Sequence, residues 1–187
     1  MSLALAVLAV LGLSGAAQAA SLTLTPAQTT EALRIGERSL TAESFDAEWR
    51  VAGHGEETVT VLTPFHRLVI AARHAAFRKE QLKPGEPARL LREHGPRLVF
   101  WASLRGARED FARLYTSRLV VGDREIKPAF VQNERTAVRQ EDGAFLARCV
   151  YGFPTKNLAG TARLALVVAD GDGRDVSRFA VDLSAMR

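Results

Sequence analysis

The feature that most constrains the fold is the pattern from Arg97 onward, where short runs of alternating apolar residues are separated by turn-forming residues. Gly122-Asp123, Asp142-Gly143 and residues 170–173 are turn sequences of the kind that joins two neighbouring strands. The predicted hairpins join residues 119–121 to 125–131, 135–140 to 144–151, and 161–169 to 176–183. This succession of short strands predicts an antiparallel β-sandwich of immunoglobulin-like type.

The alternation within single strands predicts how the layers stack. In residues 98–104, one face carries Phe100 among other large apolar side chains, and the opposite face carries Trp101. We expect a second sheet on the Phe100 side and a pair of helices on the Trp101 side. Cys149 shares a face with the aromatic Tyr151 in a later strand, which predicts that the thiol is buried.

The first part of the chain predicts a helix and a hairpin. Thr25 can cap a helix that begins at Pro26, and Gln28 can complete the capping box. Gly36 is a residue type that commonly ends helices, so we expect the helix to stop there. Residues 47–51 and 58–62 alternate on either side of a glycine-rich turn and predict a hairpin.

A pair of helices is predicted to follow. Thr63-Pro64 repeats the capping pattern, and apolar residues then recur at three- and four-residue spacing up to Leu82, which is typical of an amphipathic helix. Residues 87–94 predict a second short helix, closed by Gly95-Pro96. We expect the two to form a helical hairpin, and the fold class is therefore α+β, with the sandwich predominant.

The first nineteen residues carry the pattern of an export signal. They contain no charged side chain, an apolar run over residues 3–13, and the small-x-small sequence Ala17-Gln18-Ala19. We therefore expect cleavage after Ala19 and a periplasmic or secreted protein. The run is shorter than the ~20 apolar residues that span a bilayer, so no transmembrane anchor is expected after cleavage.

The remaining residues, 20–187, are predicted to form a single α+β domain. Its helix and hairpin part covers residues 20–96, and its sandwich part covers residues 97–187. With 47% hydrophobic and 25% charged residues, the chain has a composition that favours a folded core over disorder. Cys149 is the one cysteine, so the domain must be stable without an intramolecular disulfide.

The net charge of +4 raises the question of an anionic partner. Arginines are spread along the chain, and export argues against nucleic acid. One region combines arginines with aromatic residues, and an anionic surface or an acidic envelope protein is its expected partner. The candidate binding residues are Arg105, Arg108, Arg113, Tyr115 and Arg118. The alternative is a set of solvated arginines offset by neighbouring acidic residues.

A carboxylate cluster near the C-terminus is a weak candidate for a calcium site. Asp170, Asp172 and Asp175 lie within six residues, and calcium binds clustered oxygen ligands. The spacing departs from that of an EF-hand loop, because Asp175 takes the position of the required glycine and Arg174 adds a competing charge. A polar hairpin turn is the favoured interpretation, and no cofactor is expected.

The sequence favours a binding role over an enzymatic one. No serine has the flanking glycines of a hydrolase elbow, and no phosphate-binding glycine loop or zinc-protease motif is present. The prediction is an exported non-enzymatic module that binds a protein or an anionic envelope surface. Two alternatives stay open. One is an exported hydrolase with His66 or His74 as base in a cleft between the helices and the sheet, and the other is a calcium-stabilised adhesion module.

Overall fold

The computed structural model describes residues 19–187. The predicted signal peptide lies outside these residues except for Ala19, so the export signal stays a prediction. Within residues 19–187, none of the helices combines the length and the apolar character needed to cross a bilayer.

Three helices and two antiparallel sheets make up the described part of the chain. The helices are α1 (Pro26–Arg38), α2 (Pro64–Phe77) and α3 (Glu86–His94). The strands are β1 (Arg50–Ala52), β2 (Thr58–Leu62), β3 (Arg97–Gly106), β4 (Thr116–Val121), β5 (Arg124–Ile126), β6 (Phe130–Gln132), β7 (Val138–Arg139), β8 (Phe145–Pro154), β9 (Arg163–Ala169) and β10 (Asp175–Asp182). The prediction of a mixed helical and antiparallel β protein is confirmed.

The first sheet has the order β1-β2-β3-β8, and both β6 and β7 pair with the far edge of β8. The second sheet has the order β10-β9-β4-β5. The four predicted hairpins all form, as β1–β2, β4–β5, β7–β8 and β9–β10. The first strand is shorter than predicted, because residues 47–49 form a 3-10 helix and β1 begins at Arg50.

The prediction of a single strand over residues 125–131 is wrong. It is divided into β5, which ends at Ile126 in the second sheet, and β6, which begins at Phe130 in the first sheet. Pro128 lies between them, and a proline cannot donate a ladder hydrogen bond, so the strand ends before it.

The buried faces of the two sheets contribute to a single hydrophobic core. Phe100 and Phe153 of the first sheet meet edge to face with ring centroids 5.6 Å apart, and Phe179 of the second sheet is fully buried. The second sheet therefore lies on the Phe100 side, as predicted. Cys149 is 1% exposed, which confirms its predicted burial, and burial raises the pKa of its thiol.

The packing of α1 on α2 corrects the predicted helix end at Gly36. The helix continues through Gly36 to Arg38 and is capped by Ser39. A side chain at position 36 would overlap the Val69 carbonyl oxygen and come within 2.7 Å of the Ala72 Cβ atom of α2. Gly36 therefore serves close helix packing rather than helix termination. The main helical neighbour of α2 is α1, and α3 contacts α2 less extensively than the predicted helical hairpin implied.

The first sheet continues across the predicted division at residue 96. β2 pairs with β3 along its whole length, and Thr60 lies opposite Trp101. The hairpin β1–β2 thus extends the same sheet as β3 and β8, with its outer face turned toward α2. This arrangement brings the first sheet and the helices together at one side of the molecule.

Candidate functional site

A groove of about 440 Å³ lies between the outer face of the first sheet and the helices α2 and α3. We call it the Trp101 groove. Its floor is formed by Leu62 of β2, Val99 and Trp101 of β3, Val150 of β8, and Phe130 and Gln132 of β6. Its walls and rim are formed by Arg67, Ile70, Ala71 and His74 of α2, Leu90 and His94 of α3, and Arg97 at the start of β3.

Alternate residues of each strand point to the outer face of the first sheet, and in neighbouring strands these residues are mostly apolar. The floor of the groove is therefore apolar. Trp101 lies opposite Val150, and Val150 lies opposite Gln132 on the next strand. Phe130 covers Gly152, where any side chain would collide with the aromatic ring. The helices lie on the Trp101 side, as predicted, yet they leave this large aromatic 46% exposed. An exposed aromatic on a concave apolar floor is typical of a ligand site.

One end of the groove is cationic. Arg67 is only 8% exposed, and its Nη2 group donates a hydrogen bond to the carbonyl oxygen of Arg97 at 2.8 Å. Burial, together with the positive charge of Arg97, lowers the pKa of Arg67 to about 10. The guanidinium stays charged at neutral pH, and no carboxylate within residues 19–187 forms an ion pair with it. A buried charge without a partner is costly, so it marks a candidate site for an anion.

Two histidines also face the groove. His94 lies at the cationic end, where burial and the neighbouring Arg67 lower its pKa below the ordinary value. His74 follows Arg67 by seven residues, which is about 10 Å along a helix axis. Trp101 follows Arg97 by four residues, which is about 13 Å along a strand. The groove therefore has a cationic end, where Arg67 and Arg97 lie, and an aromatic end at Trp101, which is about 13 Å from Arg97 along β3.

The predicted hydrolase histidines have different surroundings. His74 lies in a cleft between helix and sheet, the expected location, but the residues that line it include no hydroxyl, thiol or carboxylate group. His66 is fully buried away from the groove and stacks on Trp49 with ring centroids 4.1 Å apart. Its Nδ1–H group donates to the Val61 carbonyl oxygen at 3.1 Å. Burial lowers the pKa of His66 to about 4, so the imidazole is a neutral part of the core at neutral pH.

The structure does not bring the candidate arginines together. Arg105 projects from the outer face of the first sheet, where it pairs with Glu56 and Asp142. Arg118 projects from the outer face of the second sheet. It forms a bidentate ion pair with Asp175 at 2.8 and 2.9 Å and also donates a hydrogen bond to Glu125 at 2.9 Å. These two arginines lie on opposite sides of the molecule and are each neutralised by carboxylates.

The other three candidates lie in or beside the connection between β3 and β4. Arg108 and Arg113 are exposed, and Arg108 lies 3.6 Å from an Asp110 carboxylate oxygen. Tyr115 is half-buried, and its ring meets that of Phe111 edge to face at 5.5 Å. Desolvation raises the pKa of Tyr115. None of these three side chains lines the Trp101 groove.

The carboxylates of the 170–175 turn are engaged within the turn and with arginines. The Asp170 Oδ1 atom accepts hydrogen bonds from the backbone N–H groups of Asp172 and Arg174 at 3.0 and 2.9 Å. Asp172 pairs with Arg174, and Asp175 pairs with Arg118. In the part of the chain that the structure describes, no three histidine, cysteine, aspartate or glutamate side chains are grouped to hold a metal ion. The geometry is that of a polar hairpin turn.

The sequence predicts that helices cover the Trp101 side of residues 98–104, but it does not indicate a groove there or a role for Arg67. The sequence feature that could have indicated the site is the spacing of residues along α2. Arg67, Ile70, Ala71 and His74 recur at helical spacing on one face of α2, so an arginine lies at one end of an apolar stripe. Its burial depends on α3 and on the start of β3, which are distant in sequence.

The chain matches no known protein family and no curated protein. It is similar to a crystal structure of a protein of unknown function from Burkholderia pseudomallei, with a TM-score of 0.44 and 12% sequence identity. The match covers 87% of this chain and 91% of that chain.

Proposed function

We propose that the protein is an exported, non-enzymatic binding module and that the Trp101 groove is its binding site. The observation that carries the proposal is the buried guanidinium of Arg67, unpaired with any carboxylate of residues 19–187, at one end of an apolar groove. A ligand with an apolar body and an anionic end would satisfy both features at once. The volume of about 440 Å³ lies within the ~300–1,000 Å³ range of small-molecule sites.

Such a ligand would gain binding free energy from an apolar and an electrostatic contribution. Covering the exposed face of Trp101 and the floor beside it removes apolar surface from water, at about 25 cal/mol per Å². An anion at Arg67 gains a charge-assisted hydrogen bond, worth about 1.5 to 3 kcal/mol, in a site already shielded from solvent. The two contributions add along the groove because they act on opposite ends of one ligand.

The groove is a better anion site than the surface arginines. Arg105 and Arg118 would have to exchange existing carboxylate partners for a new one, so little free energy would be gained. Arg67 has no such partner to give up within residues 19–187. We therefore place the predicted anionic partner in the groove rather than on the arginine-rich loop.

Of the two alternatives, the hydrolase has one supporting observation, the position of His74 in the groove. A histidine base acts on a nearby nucleophile or water and is usually oriented by a third group. The residues that line the groove include no hydroxyl, thiol or carboxylate group to act as nucleophile or to orient His74, so we favour binding. The calcium-stabilised module has less support, because the carboxylates of its candidate turn already bind backbone amides and arginines.

Replacing Trp101 with alanine tests the proposal. The probe is 1-anilinonaphthalene-8-sulfonate, which combines an aromatic body with one anionic group and becomes fluorescent when shielded from water. We expect the protein to bind it, and Trp101→Ala to weaken binding about tenfold or more, since a central aromatic anchor is lost.

The matched control is Leu114→Ala, which removes a side chain that is 71% exposed and lies outside the groove. This variant should bind the probe as the unaltered protein does. Equal affinities for Trp101→Ala and the unaltered protein, or an equal loss in Leu114→Ala, would contradict the proposal.

We also propose that the two sheets form an immunoglobulin-like sandwich. The order β2-β3-β8-β7 in the first sheet corresponds to the A-B-E-D order of that fold, and β10-β9-β4-β5 in the second corresponds to G-F-C-C′. The chain crosses between sheets after β3, after β5 and after β8, as that correspondence requires. An experimental structure with this strand order would support the assignment, and a different pairing of β3, β4, β8 or β9 would overturn it.

Export is proposed from residues 1–19, and the position of Ala20 supports cleavage before it. Ala20 is 3% exposed, and its backbone N–H group donates to the Leu183 carbonyl oxygen at 2.9 Å. The folded body can therefore begin at the first residue after the predicted cleavage site. The intact mass of the protein recovered from the periplasm or the medium should correspond to a chain starting at Ala20.

A further inference from the structure

We infer that the ligand of the Trp101 groove is a long-chain monocarboxylate, such as a fatty acid, with its carboxylate at Arg67 and its alkyl chain extending toward Trp101. This inference rests on the proposed function and specifies its ligand class. Three properties of the groove carry it: the small size of the cationic end, the scarcity of polar groups along the floor, and the distance between the two ends.

The cationic end suits one small anion. Arg67 is almost fully enclosed, and one of its terminal nitrogens is already committed to the Arg97 carbonyl oxygen. The remaining donors of its planar guanidinium can meet the two oxygens of a carboxylate. The Arg97 side chain lies at the same end and adds positive charge, and the imidazole of His94, whose pKa burial lowers, adds a neutral hydrogen-bonding group there. A broad anionic surface could not reach a guanidinium that is enclosed to this extent.

The floor suits an alkyl chain better than a peptide. A peptide lying in the groove would bring backbone N–H and C=O groups that need hydrogen-bond partners, and each group left unpaired would weaken its binding. Between Arg67 and Trp101 the groove offers few such partners, chiefly the side chains of Gln132 and His74. Leu62, Val99 and Val150 line the floor instead, and methylene groups need no partners.

The length of the groove predicts a chain-length dependence. Arg97 and Trp101 lie about 13 Å apart along β3, and the apolar stripe of α2 continues from Ile70 past His74 to Phe77, which is 81% exposed. An alkyl chain longer than the floor would therefore continue over an exposed aromatic ring. Affinity should rise by up to about fourfold for each added methylene until the apolar surface is covered.

The test is displacement of the naphthalene sulfonate probe by ligands of matched length, each kept below its micelle concentration. Dodecanoate should displace the probe at about tenfold to a hundredfold lower concentration than dodecanol, because only the acid supplies a charge to Arg67. Dodecyltrimethylammonium should be weaker than the alcohol. Octanoate and decanoate should be weaker than dodecanoate, in order of length.

Arg67→Met tests the assignment of the anion site, since methionine fills the same apolar space without the charge. The variant should lose the preference for dodecanoate over dodecanol while still binding the alcohol. The control is Arg178→Ala, which removes one exposed positive charge from the outer face of the second sheet and should leave the preference unchanged. If Arg67→Met does not fold, the acid-to-alcohol ratio of the unaltered protein still decides the inference.

The outcomes separate the ligand class from the binding function. If the probe binds through Trp101 but dodecanoate is no better than dodecanol, the inference is overturned and the binding site stands. The inference is also overturned if phosphatidylglycerol vesicles or an acidic peptide displace the probe and dodecanoate does not. If the probe does not bind at all, the proposed function itself fails.

Discussion

Acidification from about pH 7 to about pH 4 is expected to remove about 3 kcal/mol of folding free energy through His66 alone. The imidazole is fully buried and stacked on Trp49, and its Nδ1–H group donates to the Val61 carbonyl oxygen. The Nε2 atom has no hydrogen-bond partner within residues 19–187. A proton added to Nε2 would therefore place a positive charge in the core without an acceptor.

The direction of the effect follows from the two pKa values. In the unfolded chain His66 takes up a proton near its ordinary pKa of 6.5, whereas burial holds the pKa in the folded protein at about 4. Between these values the unfolded state binds more protons, so stability falls as the pH decreases through this window. Above pH 6.5 the contribution of His66 is constant.

Urea unfolding at a series of pH values measures the effect. His66→Phe keeps an aromatic ring beside Trp49 and should flatten the pH dependence between about pH 6.5 and pH 4, while lowering stability at neutral pH by about 1 to 3 kcal/mol because the Val61 carbonyl loses its donor. His54→Asn, at an exposed histidine between β1 and β2, is the control and should retain the original slope. A slope equally steep in His66→Phe would show that other groups cause the acid sensitivity.

Gly36→Val is expected to destabilise the fold by about 2 to 3 kcal/mol, although valine is a better helix former than glycine. The new side chain would collide with the backbone of α2 at the Val69 carbonyl and with the Ala72 Cβ atom. Backbone atoms cannot rotate away, so the two helices must separate. Because α2 carries Arg67 and Ile70 into the Trp101 groove, the shift should also weaken probe binding.

The control for this substitution is Glu37→Val at the next position of α1, which is exposed. There valine should cost only the difference in helix propensity, about half a kcal/mol. Thermal or urea unfolding of both variants gives the comparison. A neutral or stabilising Gly36→Val substitution would mean that α1 and α2 are not in close contact.

The elements that sequence predicted well are those specified by neighbouring residues. The capping box at Thr25 and Gln28 forms with hydrogen bonds of 2.9 and 3.2 Å, and Thr63 caps α2 through the backbone N–H group of His66. The hairpins form at the predicted turns for the same reason, since a turn dipeptide and the alternation beside it lie within a few residues. The break in the predicted strand 125–131 also has a local cause, since Pro128 lies between β5 and β6.

The site was harder to predict because it depends on elements that are distant in sequence. Arg67 is buried by the start of β3 and by α3, and nothing in the residues next to it specifies that enclosure. Gly36 resembles a helix terminator until α2 is placed beside it. In the sequence, Arg105 and Arg118 have no evident counter-ions, because carboxylates that pair with them lie up to 57 residues away.

The far edge of β8 affects how readily the protein aggregates at high concentration. Two short strands cover that edge in place of one long strand, with β6 pairing at residues 150–152 and β7 at residues 145 and 146. A continuous exposed strand would offer an unbroken row of amide and carbonyl groups on which a second molecule could add a strand. The interrupted edge offers only fragments of such a row, so stacking of molecules into fibrils is disfavoured on this side without any cost to the core.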